Sequence, residues 1–292
     1  MIAAADVCAH CNGTGWAPLP PPVNEVLKEG QAPTTECVTR CVCFWTRVTR
    51  QRLTGAGIPT KHQHGTFENY LAYNDTLAEA LSRARAFADA YEPGSTKGLM
   101  FVGPAGVGKT HLAAAILTRI ITRTKISGIF YKTRDLLRVL RGSYDREIRT
   151  TEAQVLNPIL TCDLLVLDDL GAERTTDWVD DVMNSIVDTR YSMNRPMICT
   201  SNFPDLDDPE EINGLLYRVG FRMQSRLREM CTFITLDGAD YRDTDGSEAE
   251  LRRAWKQRRA IQPSRDLRRG PRPTPKDGKA DLKWSGGKGG NQ

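Results

Sequence analysis

Residues 103–110 read Gly103-Pro104-Ala105-Gly106-Val107-Gly108-Lys109-Thr110. This octet matches the phosphate-binding pattern G-x-x-x-x-G-K-[ST] at every fixed position. It lies between an apolar run, Gly98–Val102, and a helical pattern that continues to about Thr124. Glycines let backbone N–H groups surround phosphate oxygens, and the following helix start adds positive potential. We therefore expect Lys109 to reach the β- and γ-phosphates of ATP and the Thr110 hydroxyl to bind Mg²⁺.

Apolar runs and helical patterns alternate on both sides of this loop. Besides 98–102, strands are predicted at 129–131, 163–167, 196–200 and 233–236, and helices at 77–91, 109–124, 135–140 and 178–193. The run Leu164–Leu167 is continuously apolar, which is typical of a strand buried on both faces. The alternation predicts an α/β fold with a parallel sheet and helices on both faces.

Polar residues follow two of the predicted strands. Asp168 and Asp169 end the strand 163–167, where carboxylates point into the ligand-binding crevice of a parallel sheet. We expect Asp168 to bind Mg²⁺ through water and Asp169 to orient and polarise the attacking water. Glu173 is a neighbour on which water activation can depend. Asn202 ends the next strand and is expected to sense the γ-phosphate or the attacking water.

Arginines recur on the helical pattern near residue 220. Arg218, Arg222 and Arg226 are spaced at i, i+4 and i+8 and are predicted to share one helix face. An arginine that reaches the γ-phosphate of a neighbouring subunit completes many NTPase sites, and Arg226 is the first candidate, followed by Arg222. A solvated helix face is the alternative interpretation. Arg242 is expected to contact the nucleotide phosphates within its own subunit.

Five of the 8 cysteines fall within the first 43 residues. Cys8-x-x-Cys11 and Cys41-x-Cys43 supply four thiolates, which suit a tetrahedral structural Zn²⁺, and Cys37 is a substitute ligand. Unligated thiols and an iron–sulfur cluster are the alternatives. The remaining three cysteines lie singly in apolar stretches and are expected to be buried core residues.

Composition and charge divide the chain into four regions. We predict a Cys-rich unit at 1–50, a linker at 51–74, a nucleotide-binding domain at 75–245, and a charged helix with a disordered tail at 246–292. Residues 251–292 contain 13 Lys/Arg against 3 Asp/Glu, so the tail is strongly basic although the whole chain carries only +4. Such a tail suits a polyanionic partner, or is simply solvated. No apolar run suits a membrane span or a signal peptide, so we expect a cytoplasmic protein.

With these motifs in place, the chain resembles the DnaC/DnaI-type helicase loaders of the AAA+ superfamily over about residues 55–245. The resemblance depends on the order of short segments along the chain. They are Gly57-Ile58-Pro59, Thr66-Phe67-Glu68-Asn69-Tyr70, the phosphate-binding loop with His111-Leu112 after it, Leu167–Glu173, Trp178, Arg190-Tyr191, Pro196, Thr200-Ser201-Asn202, Ser225-Arg226-Leu227 and Tyr241-Arg242. His111 is counted with the nucleotide-binding residues on this basis, and the early Cys pairs resemble the zinc-bearing, helicase-docking domain of such loaders.

The resemblance implies delivery of a DnaB-type replicative helicase to single-stranded DNA. It also implies homo-oligomerisation through the ATP site, ATP hydrolysis as the switch, and a reduced lid. The main alternative is an IstB-type ATPase that assists a DNA transposase, whose core is similar but which usually begins with a helical segment. A nucleotide-gated scaffold without turnover and a metabolic kinase are further alternatives. The Pro-rich stretch 18–22 and the basic tail are not part of the loader pattern.

Overall fold

The computed structural model describes residues 7–19, 38–143, 151–244 and 247–261. For residues 260 and 261 it describes the backbone alone. The N-terminal part of the described chain is a small unit with a two-stranded antiparallel sheet. Its strands are β1 (Trp16–Pro18) and β2 (Val38–Arg40), and Trp16 pairs with Arg40. This pairing brings the two cysteine pairs together, since each pair adjoins one strand. Cys37 and the proline stretch from residue 20 lie outside the described residues.

Five parallel strands form the central sheet, in the order β4-β5-β6-β3-β7. They are β3 (Gly98–Val102), β4 (Gly128–Lys132), β5 (Leu164–Asp168), β6 (Met197–Ser201) and β7 (Cys231–Thr235). Every residue of β3, β5 and β6 is buried, including the polar residues that end β5 and β6, as expected for strands covered on both faces. The predicted bounds of all five strands are correct to within two residues.

Helices cover both faces of the sheet because successive side chains of a strand point to opposite faces. Leu99 and Phe101 lie in one core, and Met100 and Val102 lie in the other. The first layer contains α1 (Val42–Gly55), α2 (Asp75–Ala90), α3 (Lys109–Thr124) and α8 (Glu248–Ile261). The second contains α4 (Thr133–Gly142), α5 (Glu152–Thr161), α6 (Asp177–Ser192) and α7 (Leu215–Met230). The predicted α/β architecture is confirmed.

The segment 51–74, predicted as a linker, packs against the core of the sheet domain. Helix α1 extends through its first five residues, and Ala56, Phe67, Tyr70 and Tyr73 are all buried. The Phe130 amide donates a hydrogen bond of 2.7 Å to the Ala56 carbonyl, which attaches the segment to β4. Most of the segment is irregular, so hydrophobic periodicity does not reveal its burial.

Helix α8 is the charged helix predicted after residue 245. Leu251 is buried in the first core, and Trp255 Nε1 donates to Asp237 Oδ2 at 3.0 Å. Within the described ranges α8 is the one α-helix that follows β7, which agrees with the reduced lid that the resemblance implies. The predicted disordered tail, residues 262–292, lies outside the described residues. None of the described helices combines the length and apolarity needed to cross a bilayer.

Candidate nucleotide-binding site

The predicted phosphate-binding loop connects β3 to α3 and is tightly enclosed. Gly106 and Gly108 have positive φ angles of 77° and 90°, which glycine adopts without strain. A Cβ at Gly108 would lie 2.5 Å from Cε2 of Tyr70, and one at Gly106 would lie 1.8 Å from Oδ1 of Asp240. Tyr70 also donates a hydrogen bond of 2.9 Å to the Val107 carbonyl. The loop is therefore supported from two sides by residues outside the octet.

Lys109 lies across the mouth of this loop. Its Nζ donates to the carbonyls of Gly103 and Pro104, at 2.9 and 2.7 Å, and to Oδ1 of Asn202 at 2.7 Å. Burial lowers the pKa of Lys109 to about 8, although the Asp169 and Asp168 carboxylates oppose this shift. The ammonium is thus held by neutral acceptors in a partly desolvated site, where an arriving phosphate is a stronger acceptor.

Asp168, at the end of β5, accepts hydrogen bonds from two hydroxyl groups. Thr110 Oγ1 and Thr200 Oγ1 each donate to Asp168 Oδ1 at 2.8 Å. Burial and the neighbouring Asp169 charge raise the pKa of the Asp168 carboxyl. A carboxylate next to a threonine hydroxyl is an oxygen donor set of the kind that Mg²⁺ prefers, so these residues fit the ion.

Asp169 and Asn202 meet because β5 and β6 are neighbours in the sheet. Asp169 adopts a left-handed φ of 60°, and its amide donates to Thr200 Oγ1 at 2.9 Å. Asn202 Nδ2 donates to Asp169 Oδ1 at 3.3 Å. Burial raises the pKa of the nearby Glu173, whose Oε1 is enclosed with no hydrogen-bond partner among the described residues. The structure brings together the predicted residues at the ends of both strands.

His111 contacts the segment that precedes α2. Its Nε2 lies 2.7 Å from the Thr66 carbonyl oxygen, and its ring centroid is 5.5 Å from that of Tyr70. These contacts connect the first turn of α3 to the segment around Tyr70, which itself braces the loop. These contacts show His111 next to the loop's supporting segment, and its nucleotide-binding role stays a prediction.

Arg222 and Arg226 share one acidic partner on α6. Arg222 Nη2 lies 2.6 Å from Asp188 Oδ2, and Arg226 Nη1 lies 2.8 Å from Asp188 Oδ1. The prediction that Arg218 shares their helix face is wrong, because Gly220 has non-helical angles (φ 76°, ψ 159°) and breaks the helical register of α7. The Arg218 guanidinium lies instead 4.6 Å above the ring of Phe203.

Arg242 lies beside the loop but is bound to an acid of its own segment. Its Nε donates to Asp240 Oδ1 at 2.8 Å, and its Nη2 to Asp240 Oδ2 at 2.5 Å. The Tyr241 amide donates to the Gly106 carbonyl at 3.1 Å, which fixes this short helix, Tyr241–Asp243, against the loop. The arrangement keeps a guanidinium close to the predicted phosphate position.

The four N-terminal thiols converge on one point. The sulfur atoms of Cys8, Cys11, Cys41 and Cys43 all lie within 4.8 Å of one another, with Cys8–Cys41 at 3.7 Å and Cys11–Cys43 at 3.4 Å. Although burial opposes it, hydrogen bonds from the Gly15 amide and the Cys43 thiol lower the pKa of Cys11 to about 6. The hydrogen bond with Cys11 in turn raises the pKa of Cys43 to about 12, so the two thiols share one proton. The predicted pairs therefore form one cluster of four soft donors.

Three residues that shape the nucleotide site were not predicted from the motifs. Tyr70 supports the loop, Thr200 holds both Asp168 and the Asp169 amide, and Asp240 contacts Gly106 and binds Arg242. Thr200 belongs to the segment Thr200-Ser201-Asn202, from which only Asn202 is predicted to act at the site. Asp240 had a weaker signal, as an acid two residues before a predicted phosphate-binding arginine.

The phosphate-binding loop follows β3 of a five-stranded parallel sheet, an asparagine follows the neighbouring strand β6, and an acidic pair ends β5 on the far side of β6. This arrangement defines an ATP-binding domain of the AAA+ class. The comparisons with known proteins agree with this class. The chain belongs to the family of IstB-like ATP binding proteins, whose family model matches residues 58–249.

Similar proteins specify the relationship further. The replicative helicase loader DnaC of Escherichia coli (strain K12) is 34% identical over 175 residues, which are 59% of this chain and 66% of that protein. The chain thus matches slightly less than two thirds of that relative's length. The crystal structure of the DnaC helicase loader has 32% identity and a TM-score of 0.55, covering 61% of this chain and 99% of the other. The crystal structure of DnaI has 30% identity and a TM-score of 0.52, and the match covers 61% of this chain and 94% of the other. The resemblance to DnaC and DnaI is confirmed.

Proposed function

We propose that this protein loads a DnaB-type replicative helicase onto single-stranded DNA, using ATP binding and hydrolysis as its switch. The observation that carries the proposal is the similarity to DnaC, which extends over the part of the chain that folds around the ATP site. DnaC is named a replicative helicase loader, and the hydrogen bonds among the residues around the loop support nucleotide binding there. The IstB-type transposase helper becomes an outcome of the test below.

The geometry supports a distinct role for each residue in hydrolysis. Lys109 exchanges its carbonyl acceptors for phosphate oxygens. Thr110 and Asp168 would hold Mg²⁺, which would supply positive charge next to the phosphates. Asp169 lies at the end of β5 with its carboxylate directed toward Asn202, so the two side chains orient a water between them and the γ-phosphate. Reaction then transfers the γ-phosphoryl group to water and leaves ADP.

Turnover is proposed to need a second copy of the chain. The ion pairs of Arg222 and Arg226 with Asp188 lie between α6 and α7, separate from the contacts of Lys109 and Asp168. An arginine that does not serve its own site is available to the γ-phosphate of a neighbour in a ring or spiral. We therefore assign Arg226, with Arg222 next, as the residue that completes the ATP site of an adjoining protomer.

The N-terminal unit is proposed to hold zinc and to dock on the helicase. Zinc–sulfur bonds of about 2.3 Å place the sulfurs of a tetrahedral site about 3.8 Å apart. The separations of 3.7 and 3.4 Å, with all four sulfurs within 4.8 Å of one another, support a single ion in preference to a multi-iron cluster, whose ligand sulfurs lie farther apart. Zinc would brace a unit whose two three-residue strands and few buried side chains supply little core of their own.

These assignments divide the chain by task. We propose that residues 1–50 dock on the helicase and that the region 75–245 binds ATP, the neighbouring protomer and single-stranded DNA. The residues from 51 to 74 support the ATP-binding loop, and those after 246 carry α8 and the basic tail.

The experiment is capture of partners from the native host with the tagged full-length protein, in ATP and in ADP. We expect a hexameric DnaB-type helicase to be recovered with ATP and to be released or reduced with ADP. Lys109→Ala is the matched variant, because it removes the phosphate-binding ammonium and should abolish the difference between the nucleotides. Recovery of a transposase without helicase would contradict loading and favour the IstB-type activity, while leaving the ATP site intact.

A further inference from the structure

Asp240 holds the arginine that faces the nucleotide site in a closed ion pair. Both guanidinium bonds of Arg242 end on its carboxylate, one on each oxygen, and Oδ1 also accepts a hydrogen bond of 2.9 Å from the Arg242 amide. Hydrogen bonds from the Arg242 side chain and amide, together with its charge, lower the pKa of Asp240, so the carboxyl is ionised at neutral pH. These bonds occupy the Nε–H and one Nη2–H of the guanidinium, which form an edge suited to a bidentate contact with phosphate.

The same carboxylate lies against the phosphate-binding loop. Asp240 is in such close contact with Gly106 that a Cβ there would overlap Oδ1, and the Gly106 carbonyl accepts from the next residue, Tyr241. The charges of Asp240, Arg242 and Lys109 act on one another across this short gap. A full negative charge thus adjoins a loop whose amides serve to bind anions.

We propose that Asp240 competes with nucleotide phosphate for Arg242 and thereby sets the affinity and the ATP-over-ADP preference of this site. A triphosphate receives a bidentate contact from this edge of Arg242 only when the arginine leaves Asp240, and the nearby carboxylate then repels the phosphates. Both effects weaken nucleotide binding. The inference rests on the phosphate-binding role predicted for Arg242. It implies that the Asp240 carboxylate weakens the binding of ATP more than that of ADP, since ATP carries the additional phosphate.

A purely structural role for Asp240 makes the opposite prediction. If the carboxylate only positioned Arg242 for its contact with phosphate, removal of its charge would weaken ATP binding. If it competes, removal of its charge strengthens binding, because Arg242 is already free when the nucleotide arrives. The sign of the change therefore separates the two roles.

The test is the dissociation constant for ATP and for ADP in Asp240→Asn, Arg242→Gln and the double variant. Asparagine is nearly isosteric and keeps an oxygen that accepts from the Arg242 amide, so the short helix retains its cap. We expect Asp240→Asn to bind ATP about threefold to tenfold more tightly, with a smaller gain for ADP. Arg242→Gln should weaken ATP binding, and Asp240→Asn should recover part of that loss in the double variant.

Two controls keep the result interpretable. Asp89→Asn removes an exposed carboxylate that pairs with Arg119 at 3.0 Å, ten residues along α3 from Lys109, and should leave both constants unchanged. Asp240→Ser is a smaller capping residue that repeats the test if the asparagine variant is unstable. Weaker or unchanged ATP binding in the Asp240 variants would overturn the proposal. In the same series, loss of ATP binding in Lys109→Ala would support the assignment of the nucleotide site independently of Asp240.

Discussion

At the scale of single residues, burial of Lys109 makes ATP binding depend on pH. The pKa of this lysine falls from 10.5 to about 8 in the nucleotide-free protein because of burial. Below about pH 8 the ammonium is present and meets the phosphate directly. Above that value the neutral amine must take up a proton on binding, since phosphate stabilises only its charged form.

We therefore expect the dissociation constant for ATP to be nearly constant between pH 7 and 8. It should then rise, with a limit of about tenfold for each further pH unit. Calorimetry at pH 7, 8 and 9 in two buffers of different ionisation enthalpy measures both the constant and the proton uptake. Lys109→Ala serves as the control and should show no binding at any of these values. Equal affinity and no proton uptake at pH 9 would mean that Lys109 stays charged.

At the scale of secondary-structure elements, α6 and α7 are joined by the carboxylate of Asp188 between Arg222 and Arg226. The kink at Gly220 separates these arginines from Arg218 and lets the second part of α7 lie along α6. Asp188 and Arg226 are each about three quarters buried, at 24% side-chain exposure, whereas Arg222 is 68% exposed. Arg226 is therefore the more deeply buried of the two, and Arg222 makes the hydrogen bond to Asp188.

We expect Arg226→Ala to bind ATP normally but to lose turnover that depends on protein concentration, by about a thousandfold if it completes a neighbour's site. ATP hydrolysis measured across a dilution series, together with the ATP dissociation constant, separates these effects. Arg228→Ala is the matched control, because that arginine is on the same helix but pairs with Asp205 and Asp207. Unchanged turnover at high concentration would transfer the role to Arg222 or indicate a site that works in a monomer.

At the scale of the whole molecule, the cysteine unit and the sheet domain have different sources of stability. The sheet domain has two extensive apolar cores, whereas Cys11 and Cys41 are the only buried apolar residues in the described chain before α1. A metal that crosslinks the four thiols would thus provide most of the stability of the first unit.

We expect the protein to bind one zinc ion per chain. In Cys8→Ser the affinity for zinc should fall by at least about tenfold. This variant should still bind ATP but should no longer capture the helicase. Atomic absorption gives the metal content, and the thermal unfolding of the sheet domain should change little. Cys199→Ala, in the buried strand β6, is the matched cysteine control and should keep its zinc. A Cys8→Ser protein that still captures helicase would separate docking from the metal.

The amino-acid sequence by itself determined the parallel sheet, the phosphate-binding loop and the acidic end of β5. Each of these is a contiguous signal: an apolar strand of about five residues, an octet of fixed pattern, or two aspartates at a strand end. It also determined which cysteines form a cluster, since the four thiols occur in two short-spaced pairs. Local spacing and burial patterns are sufficient for such features.

Only the tertiary structure decided what surrounds them. Tyr70 reaches Val107 and Asp240 reaches Gly106, across sequence separations that no periodicity spans. Asp188 became the partner of two arginines because the backbone angles of Gly220 set the path of α7. Such contacts depend on how the helices and loops pack over the sheet. Packing is a property of the whole fold, so short sequence patterns carry no direct record of it.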